Sequence, residues 1–192
     1  MCKICQENPV IIVQGDRKLC KGCFIKYFEK KVFKTIRQYK LIDKKDVVAV
    51  GVSGGKDSIT LLNILNKIMS PRKGKFFALL IDEGIENYRD ITKESAVKFC
   101  KDQGITLKIV SYKKEFGKTL TQLLKDKKIN ACALCGVLRR YMLNKYARKY
   151  KATKLATGHN LDDEAQSILM NLFKGNMSLS AKLGPKTGVL IH

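Results

Sequence analysis

The pattern of apolar positions changes near residue 46. From there on, short β-branched runs alternate with stretches of helical periodicity. The apparent strands are VVAVGV (47–52), FFALLI (76–81), LKIVSY (107–112) and KLATG (154–158). Helical segments such as SITLLNILNKIM (58–69) and SAVKFCKDQG (95–104) lie between them. Because strands joined by helices form βαβ units, this pattern predicts an α/β fold with a parallel sheet and helices on both faces. Ligands of such folds bind at the carboxyl ends of the strands.

A helix is predicted over residues 24–45. Its apolar stripe recurs at steps of three and four residues, at Ile25, Phe28, Val32, Ile36 and Tyr39. Basic residues fall on nearly the opposite face, at Lys26, Lys30, Lys34 and Arg37. These four side chains are candidate contacts for nucleic-acid phosphates, although an ordinary solvated helix face explains them equally well.

The first 23 residues show almost no apolar periodicity, but they contain two CxxC knuckles. Cys2, Cys5, Cys20 and Cys23 follow the spacing C-x2-C-x14-C-x2-C. Four thiolates at this spacing predict a closed tetrahedral Zn²⁺ site with a structural role. An iron–sulfur cluster is chemically open here, but the spacing is that of a zinc ribbon.

Composition adds a charge argument. The 192 residues carry 38 Lys and Arg against 17 Asp and Glu, a formal net charge of +21, which favours a polyanionic partner such as nucleic acid. The preference for lysine, 31 against 7 arginines, also fits a lysine-rich proteome and weakens that inference. The sequence has neither a signal-peptide pattern nor an apolar run of transmembrane length, so we expect a cytoplasmic protein without a membrane partner. Its seven cysteines are then thiols or metal ligands.

The loop SGGKDS (53–58) follows the first strand of the sheet and leads into a helix. Two glycines allow a tight turn with N–H groups near an anion, and the helix N-terminus, a lysine and two hydroxyls add to the attraction. The sequence is not a Walker A loop. We expect a phosphate-binding loop made of Ser53, Gly54, Gly55, Lys56, Asp57 and Ser58.

The fourth strand runs into ATGHNLDDEAQ. Gly158 and His159 occupy the turn at the same sheet edge as the phosphate loop, and Asp162 opens the next helix. A helix start with Asn160 as N-cap and acidic residues in the first turn explains this segment without any function. Its position at the ligand-binding edge favours a functional role for Asp162.

The pair in CALCG, Cys132 and Cys135, precedes a basic helix that contains Arg139 and Arg140. Half of a cluster site, a redox disulfide pair and a persulfide carrier all fit such a pair. Cys100 lies among apolar helix residues and is expected to be a packed core thiol.

Four motifs in order resemble one family. The double CxxC, SGGKDS, the CxxCGxxxR pattern at CALCG and TGHNLDDEA are similar to those of PP-loop tRNA 2-thiouridine synthetases of the TtuA/NcsA type. The resemblance implies a Rossmann-like PP-loop domain of the adenine nucleotide alpha hydrolase type over 46–192, preceded by a zinc ribbon (1–24) and a basic linker helix (25–45).

The resemblance also implies a reaction. ATP and Mg²⁺ bind at the SGGKDS loop, with Ile81 and Asp82 at the end of the second strand near adenine or ribose and with Gly158 and His159 beside the nucleotide. The 2-carbonyl oxygen of a uridine in tRNA attacks the α-phosphate, and sulfur then replaces AMP. Catalytic roles fall to Cys132, Cys135, Asp162 and Arg139, and Arg140 joins the basic residues that contact tRNA.

In this family two such cysteines and a third, later one hold a [4Fe–4S] cluster. The third ligand is not in this chain, which ends within a fresh apolar run, KTGVLIH, and we expect a carboxyl-terminal portion to be missing. Family members dimerise or take sulfur from sulfide or a ubiquitin-like carrier.

Two rival functions stay open. One is a different PP-loop enzyme, such as a 2-thiocytidine synthetase or an amide-forming ligase. The other is a non-catalytic, zinc-dependent RNA-binding relative.

Overall fold

The computed structural model describes residues 1–85, 88–125, 130–180, 183–184 and 186–187. Contacts divide the chain into two units, Met1–Asp43 and Lys44–His192. The apolar run at 188–192 lies outside the described residues. Within the described ranges, no helix combines the length and the apolar character needed to cross a membrane.

The first unit is a small hairpin followed by one helix. Strands β1 (Ile11–Val13) and β2 (Arg17–Leu19) pair antiparallel, and helix α1 (Lys21–Gln38) follows. Its buried centre consists of Leu19 and three cysteines, with Val13, Phe24 and Tyr27 packed around them. Each strand has only three residues, which is too short for an alternating apolar pattern to predict the hairpin from the sequence.

Helix α1 corrects the helix predicted over 24–45. It begins earlier because the side chain of Cys20 caps it, accepting the N–H of Cys23 at 3.5 Å. It ends earlier because Lys40 adopts a left-handed φ of 47°, and the N–H of Leu41 turns back to the carbonyl of Ile36 at 3.0 Å. This is the geometry of a Schellman-type helix end, but the residue in the left-handed conformation is a lysine and not the glycine that would predict such an end from the sequence.

The second unit alternates strands and helices. Its strands are β3 (Val47–Val52), β4 (Lys75–Asp82), β5 (Leu107–Ser111) and β6 (Lys154–Thr157). Its helices are α2 (Lys56–Met69), α3 (Tyr88–Asp102), α4 (Tyr112–Phe116), α5 (Leu120–Leu124), α6 (Ala131–Lys149), α7 (Leu161–Phe173) and α8 (Met177–Ser180), with a 3₁₀ turn at Ser70–Arg72.

The four strands form one parallel sheet in the order β5-β4-β3-β6. Alternate residues of the strands face opposite sides. Ala49, Leu79 and Ile81 pack against α6 through Met142 and Leu143. Helices α2 and α3 contact the strands but contribute nothing to that cluster, so they cover the other face. The predicted α/β class with a parallel sheet is confirmed.

Candidate functional site

The strand order places a switch point beside β3. The chain proceeds outward from β3 through β4 to β5, and it returns with β6 on the other side of β3. Connections diverge at this point, so a crevice opens at the carboxyl ends of the strands. A cleft of about 300 Å³ lies there, lined by residues of the loop after β3, the turn after β6 and helix α6.

The loop after β3 is tied together by its two serines. The N–H of Ser53 donates to the Ser58 hydroxyl oxygen at 3.1 Å, and the two hydroxyl oxygens also lie 3.1 Å apart. Ser53 Oγ accepts the N–H of Gly55 at 3.3 Å, and the Ser58 hydroxyl donates to the Gly55 carbonyl oxygen at 3.0 Å. These bonds hold the loop in one conformation with its backbone along the cleft.

Two helices that begin at this edge differ at their N-termini. The N-cap of α2 is Gly55, which offers no side-chain cap, so the first-turn N–H groups are available to an anion. The N-cap of α7 is Asn160, which accepts from the N–H groups of Asp162 and Asp163, and Asp163 completes a capping box. The helix N-terminus at this edge that is suited to an anion is therefore that of α2.

Glycines allow the backbone segments around the cleft to approach closely. A Cβ at Gly54 would lie 1.8 Å from the Thr92 carbonyl oxygen, and its φ of 84° also favours glycine. A Cβ at Gly158 would lie 2.9 Å from the Ser58 backbone nitrogen. The turn after β6 thus packs directly on the start of α2.

The other residues predicted to bind ATP lie in different environments. Ser53, Gly55, Asp57, Ser58, Ile81, Gly158 and His159 line the cleft. The Lys56 side chain is 87% exposed, and its ammonium donates to Asp57 at 3.0 Å. Asp82 accepts from Lys93 and from the Gly84 N–H, each at 3.0 Å, and does not line the cleft.

Two neighbouring carboxylates that follow the turn after β6, those of Asp162 and Asp163, differ in their contacts. Asp163 Oδ2 accepts the N–H of Asn160 at 2.8 Å. Asp162 is exposed, and its side chain takes no part in that capping box. Its neighbour His159 lies with Nδ1 3.0 Å from the Thr157 hydroxyl oxygen. Asp162 itself is not among the residues that line the cleft.

Cys132 and Cys135 lie in the first turns of α6, and Cys132 is exposed. Arg139, one turn further on, donates from Nη2 to Cys135 Sγ at 3.3 Å and from Nε to Glu83 Oε1 at 2.7 Å. The Glu83 side chain is fully buried and the Arg139 side chain is 43% exposed. Burial acts to lower the pKa of Arg139, but Glu83 and Cys135 outweigh it, so the pKa lies above its ordinary value.

A second contact fixes the helix that carries the cysteines. The hydroxyl of Tyr112 donates to the Cys135 carbonyl oxygen at 3.2 Å. Tyr112 is fully buried. This burial is the largest cause that raises the pKa of its hydroxyl, and the nearby Cys135 and Glu83 raise it further. The hydroxyl is therefore a permanent donor to the start of α6.

The Cys132/Cys135 pair fits two ligands of an iron–sulfur cluster. Thiolates are the donors that iron–sulfur clusters require. Among the described residues, however, the four N-terminal cysteines form the one group of three or more potential ligands within metal-binding distance of one another. Cys100 is buried on α3, outside the core cluster that includes α6. A third thiol is therefore absent from the described surroundings of the pair.

The four N-terminal cysteines form a compact set of donors. All four sulfur atoms lie within 4.8 Å of one another. The Cys5 sulfur lies 3.4 Å from that of Cys20 and 3.5 Å from that of Cys23. Bonds of 2.3 Å to Zn²⁺ place tetrahedral sulfurs about 3.8 Å apart, so this arrangement fits zinc. Hydrogen bonding to Cys5 and burial raise the pKa of Cys23 to about 12, whereas a backbone hydrogen bond at Cys20 lowers the pKa of Cys2 to about 6.

The basic residues predicted to contact tRNA are all on the surface. Lys26, Lys30, Lys34 and Arg37 are exposed on α1, and Arg140 is exposed on α6 at the cleft. Sequence reasoning missed Glu83, Gly51 and Leu143. The available signal for Glu83 was its position directly after a buried strand at the ligand-binding edge.

With this geometry in place, comparison with known proteins defines the class. Residues 26–187 match the family model of the PP-loop domain. The chain belongs to the PP-loop family, and its switch-point cleft lies where ligands of such folds bind.

Three relatives of this chain have descriptions that are more specific than the family's. The tRNA 2-thiolation protein NcsA of Haloferax volcanii is 40% identical over 192 residues, covering 94% of this chain and 60% of that protein. Cytoplasmic tRNA 2-thiolation protein 1 of Danio rerio is 35% identical over 183 residues, with 92% and 53% covered. A solved structure, the U34-tRNA thiolase NcsA from Methanococcus maripaludis with its [4Fe-4S] cluster, aligns with a TM-score of 0.85 at 36% identity, covering 97% of this chain and 62% of that one. The chain thus spans about half to three-fifths of the length of these relatives.

Proposed function

We propose that this chain is an ATP-dependent tRNA thiolase, a sulfurtransferase that converts a uridine into 2-thiouridine and releases AMP and pyrophosphate. One observation carries the proposal: Arg139 connects the Cys132/Cys135 pair to the cleft that contains the phosphate loop. The descriptions of the relatives as tRNA 2-thiolation proteins support the substrate class. The solved relative is described as a U34-tRNA thiolase, so we take U34 as the uridine.

The phosphate loop would hold ATP. The open N–H groups at the start of α2 and the hydroxyls of Ser53 and Ser58 suit the pyrophosphate that leaves. Asp57, at the cleft, would help to hold Mg²⁺, which offsets phosphate charge. Ile81 and His159 border the same space and would face the nucleoside or α-phosphate.

The first chemical step is adenylation. The uracil O2 attacks the α-phosphorus of ATP, the bond to the bridging oxygen breaks, and pyrophosphate leaves. Asp162, uninvolved in capping α7, would accept or position a proton at this centre. Arg139 would stabilise negative charge on the phosphates. Sulfide then attacks C2 of the base, the C2–O bond breaks and AMP leaves, and loss of the proton on sulfur gives the C2=S bond.

The metal sites follow from the thiols. Cys132 and Cys135 would hold two irons of a [4Fe–4S] cluster, whose third ligand would come from outside the described residues, and a bound cluster supplies a site for the incoming sulfur. Cys2, Cys5, Cys20 and Cys23 would hold a structural Zn²⁺ that stabilises residues 1–24.

Partners and location complete the proposal. The basic faces of α1 and α6 would contact tRNA phosphates, and sulfide or a ubiquitin-like carrier would supply the sulfur. A homodimer and a cytoplasmic location, the latter in the name of the Danio rerio relative, are part of the same proposal.

Two measurements test the function. We expect tRNA from a strain lacking this chain to lose 2-thiouridine at U34, and the wild-type gene but not Asp162→Asn to restore it. Persistence of 2-thiouridine together with loss of 2-thiocytidine would point to the other PP-loop enzyme class. Pyrophosphate release that depends on added tRNA is the second measurement, and its absence would indicate a non-catalytic RNA-binding relative.

A further inference from the structure

Glu83 is a buried acidic side chain that the sequence motifs do not explain. It follows β4 directly, at the sheet edge where the cleft opens, and its side chain is 0% exposed. The carbonyl oxygen of Glu83 accepts the N–H of Leu120 at 2.8 Å, so its backbone is fixed as well. Burial of a carboxylate is costly unless charge and hydrogen bonds compensate for it. Arg139 supplies this compensation at 2.7 Å.

Arg139 has donors left after its bond to Glu83. A guanidinium carries five N–H groups in a rigid plane. One of them is directed to Glu83 and one to the Cys135 sulfur. The side chain is 43% exposed and lines the same cleft as Ser53 and Ser58. The remaining N–H groups are therefore positioned to meet an anion held by the phosphate loop.

The contribution of Glu83 lies in preorganisation. A free arginine side chain would lose rotamer freedom when an anion arrives, and this loss would weaken binding. A charge-assisted bond to an immobile carboxylate fixes the guanidinium before the anion binds. A lysine at 139 would offer a single ammonium point and could not keep one planar group in contact with carboxylate, sulfur and phosphate.

We propose that Glu83 is a positioning residue, which holds the Arg139 guanidinium between the Cys135 sulfur and the phosphates of the bound nucleotide. The proposal rests on the proposed function, because it takes ATP as the ligand of the cleft. It adds a residue outside the recognised motifs and assigns Arg139 to the phosphate end of ATP, with the thiol pair on its other side.

Calorimetric titration of the reduced, zinc-loaded 192-residue chain with ATP and with adenosine, both in the presence of Mg²⁺, tests this role. We expect Glu83→Gln to weaken ATP binding about tenfold, roughly the effect of one charge-assisted hydrogen bond, and to leave adenosine binding unchanged. Arg139→Met should weaken ATP binding at least as much. The double variant Glu83→Gln/Arg139→Met should bind ATP no more weakly than Arg139→Met, since Glu83 acts through Arg139.

Melting temperatures separate positioning from stability. Arg139→Met removes the guanidinium that Glu83 contacts from beside a buried carboxylate and should melt lower than the double variant, although both bind ATP equally weakly. Glu115→Gln is the matched control. Glu115 also forms an ion pair with α6, to Lys145, but neither residue lines the cleft, and this variant should bind ATP as the wild type does.

The outcomes are distinct. Unchanged ATP affinity in Glu83→Gln would overturn the inference, and so would an equal loss of ATP and adenosine affinity, which marks a general structural role. Additive losses in the double variant would overturn it too. A wild-type chain that binds no ATP would contradict the proposed function itself.

Discussion

At the scale of single residues, Gly54 bears two constraints at once. Its φ of 84° is strained for other residues, and an added Cβ would lie 1.8 Å from the Thr92 carbonyl oxygen. We expect Gly54→Ala to displace the phosphate loop and abolish measurable ATP binding by calorimetry. Gly117→Ala is the control, because Gly117 has a φ of 71° but nothing within 4 Å of the added Cβ. It should cost about 1–3 kcal/mol of stability and leave ATP binding intact. Equal ATP affinity in both variants would contradict the assignment of the loop.

Asp162 and Asp163 make a second comparison between neighbouring residues. Asp163 completes the capping box of α7, whereas Asp162 does not. We expect Asp163→Ala to lower the melting temperature, in line with about 0.5–2 kcal/mol for a lost cap interaction, and to retain thiolation. Asp162→Asn should retain the melting temperature and lose thiolation, measured as 2-thiouridine in tRNA. The reverse pattern would transfer the catalytic role to Asp163.

Sequence motifs predicted which residues lie near the cleft, but they did not predict contacts between residues that are far apart in the sequence. The phosphate loop and the turn after β6 were predictable because each follows a recognisable strand and parallel strand ends meet at one edge. Glu83 was not, because its partner Arg139 lies 56 residues further along the chain. Only the folded helix α6 brings the two side chains together.

At the scale of elements, the strands were predicted closely and the first helix was not. Short runs of mostly apolar residues mark these parallel strands, so the predicted and observed bounds of β3 to β6 differ by one residue at most. The bounds of α1 depend on a cysteine cap and on a left-handed lysine, neither of which a hydrophobic pattern reveals.

The first unit yields a prediction about metal. Its described centre consists of Leu19 and cysteines rather than a larger apolar core. We expect about one zinc per chain by elemental analysis, because four thiolates complete a tetrahedron. Cys20→Ser should lose the zinc and the order of residues 1–24, measured by amide hydrogen exchange. Cys132→Ser, a change at an exposed thiol outside this set, should keep both. Full protection of the Cys20→Ser hairpin without zinc would contradict the structural role.

At the scale of the whole molecule, the charge of +21 governs encounters with polyanions. We expect the affinity for tRNA to fall steeply as salt rises, because bound lysines release counterions from phosphates. Lys26→Gln/Lys30→Gln should flatten the slope of log K against log salt by roughly one unit per lysine. Lys73→Gln/Lys75→Gln removes the same charge at the amino end of β4, the sheet edge opposite the cleft, and should have a smaller effect. Equal slopes for the two double variants would indicate that α1 is not part of the tRNA-binding surface.

The central claim is that the cleft and the cysteine pair together thiolate tRNA. Its most direct test incubates the chain, reconstituted anaerobically with iron and sulfide, with ATP, Mg²⁺, sulfide and unmodified tRNA. The nucleosides of the tRNA are then measured by mass spectrometry. We expect 2-thiouridine that depends on ATP and disappears in the Cys132→Ala/Cys135→Ala variant. Failure of the reconstituted wild-type chain to form 2-thiouridine, or equal formation by the double variant, would contradict it.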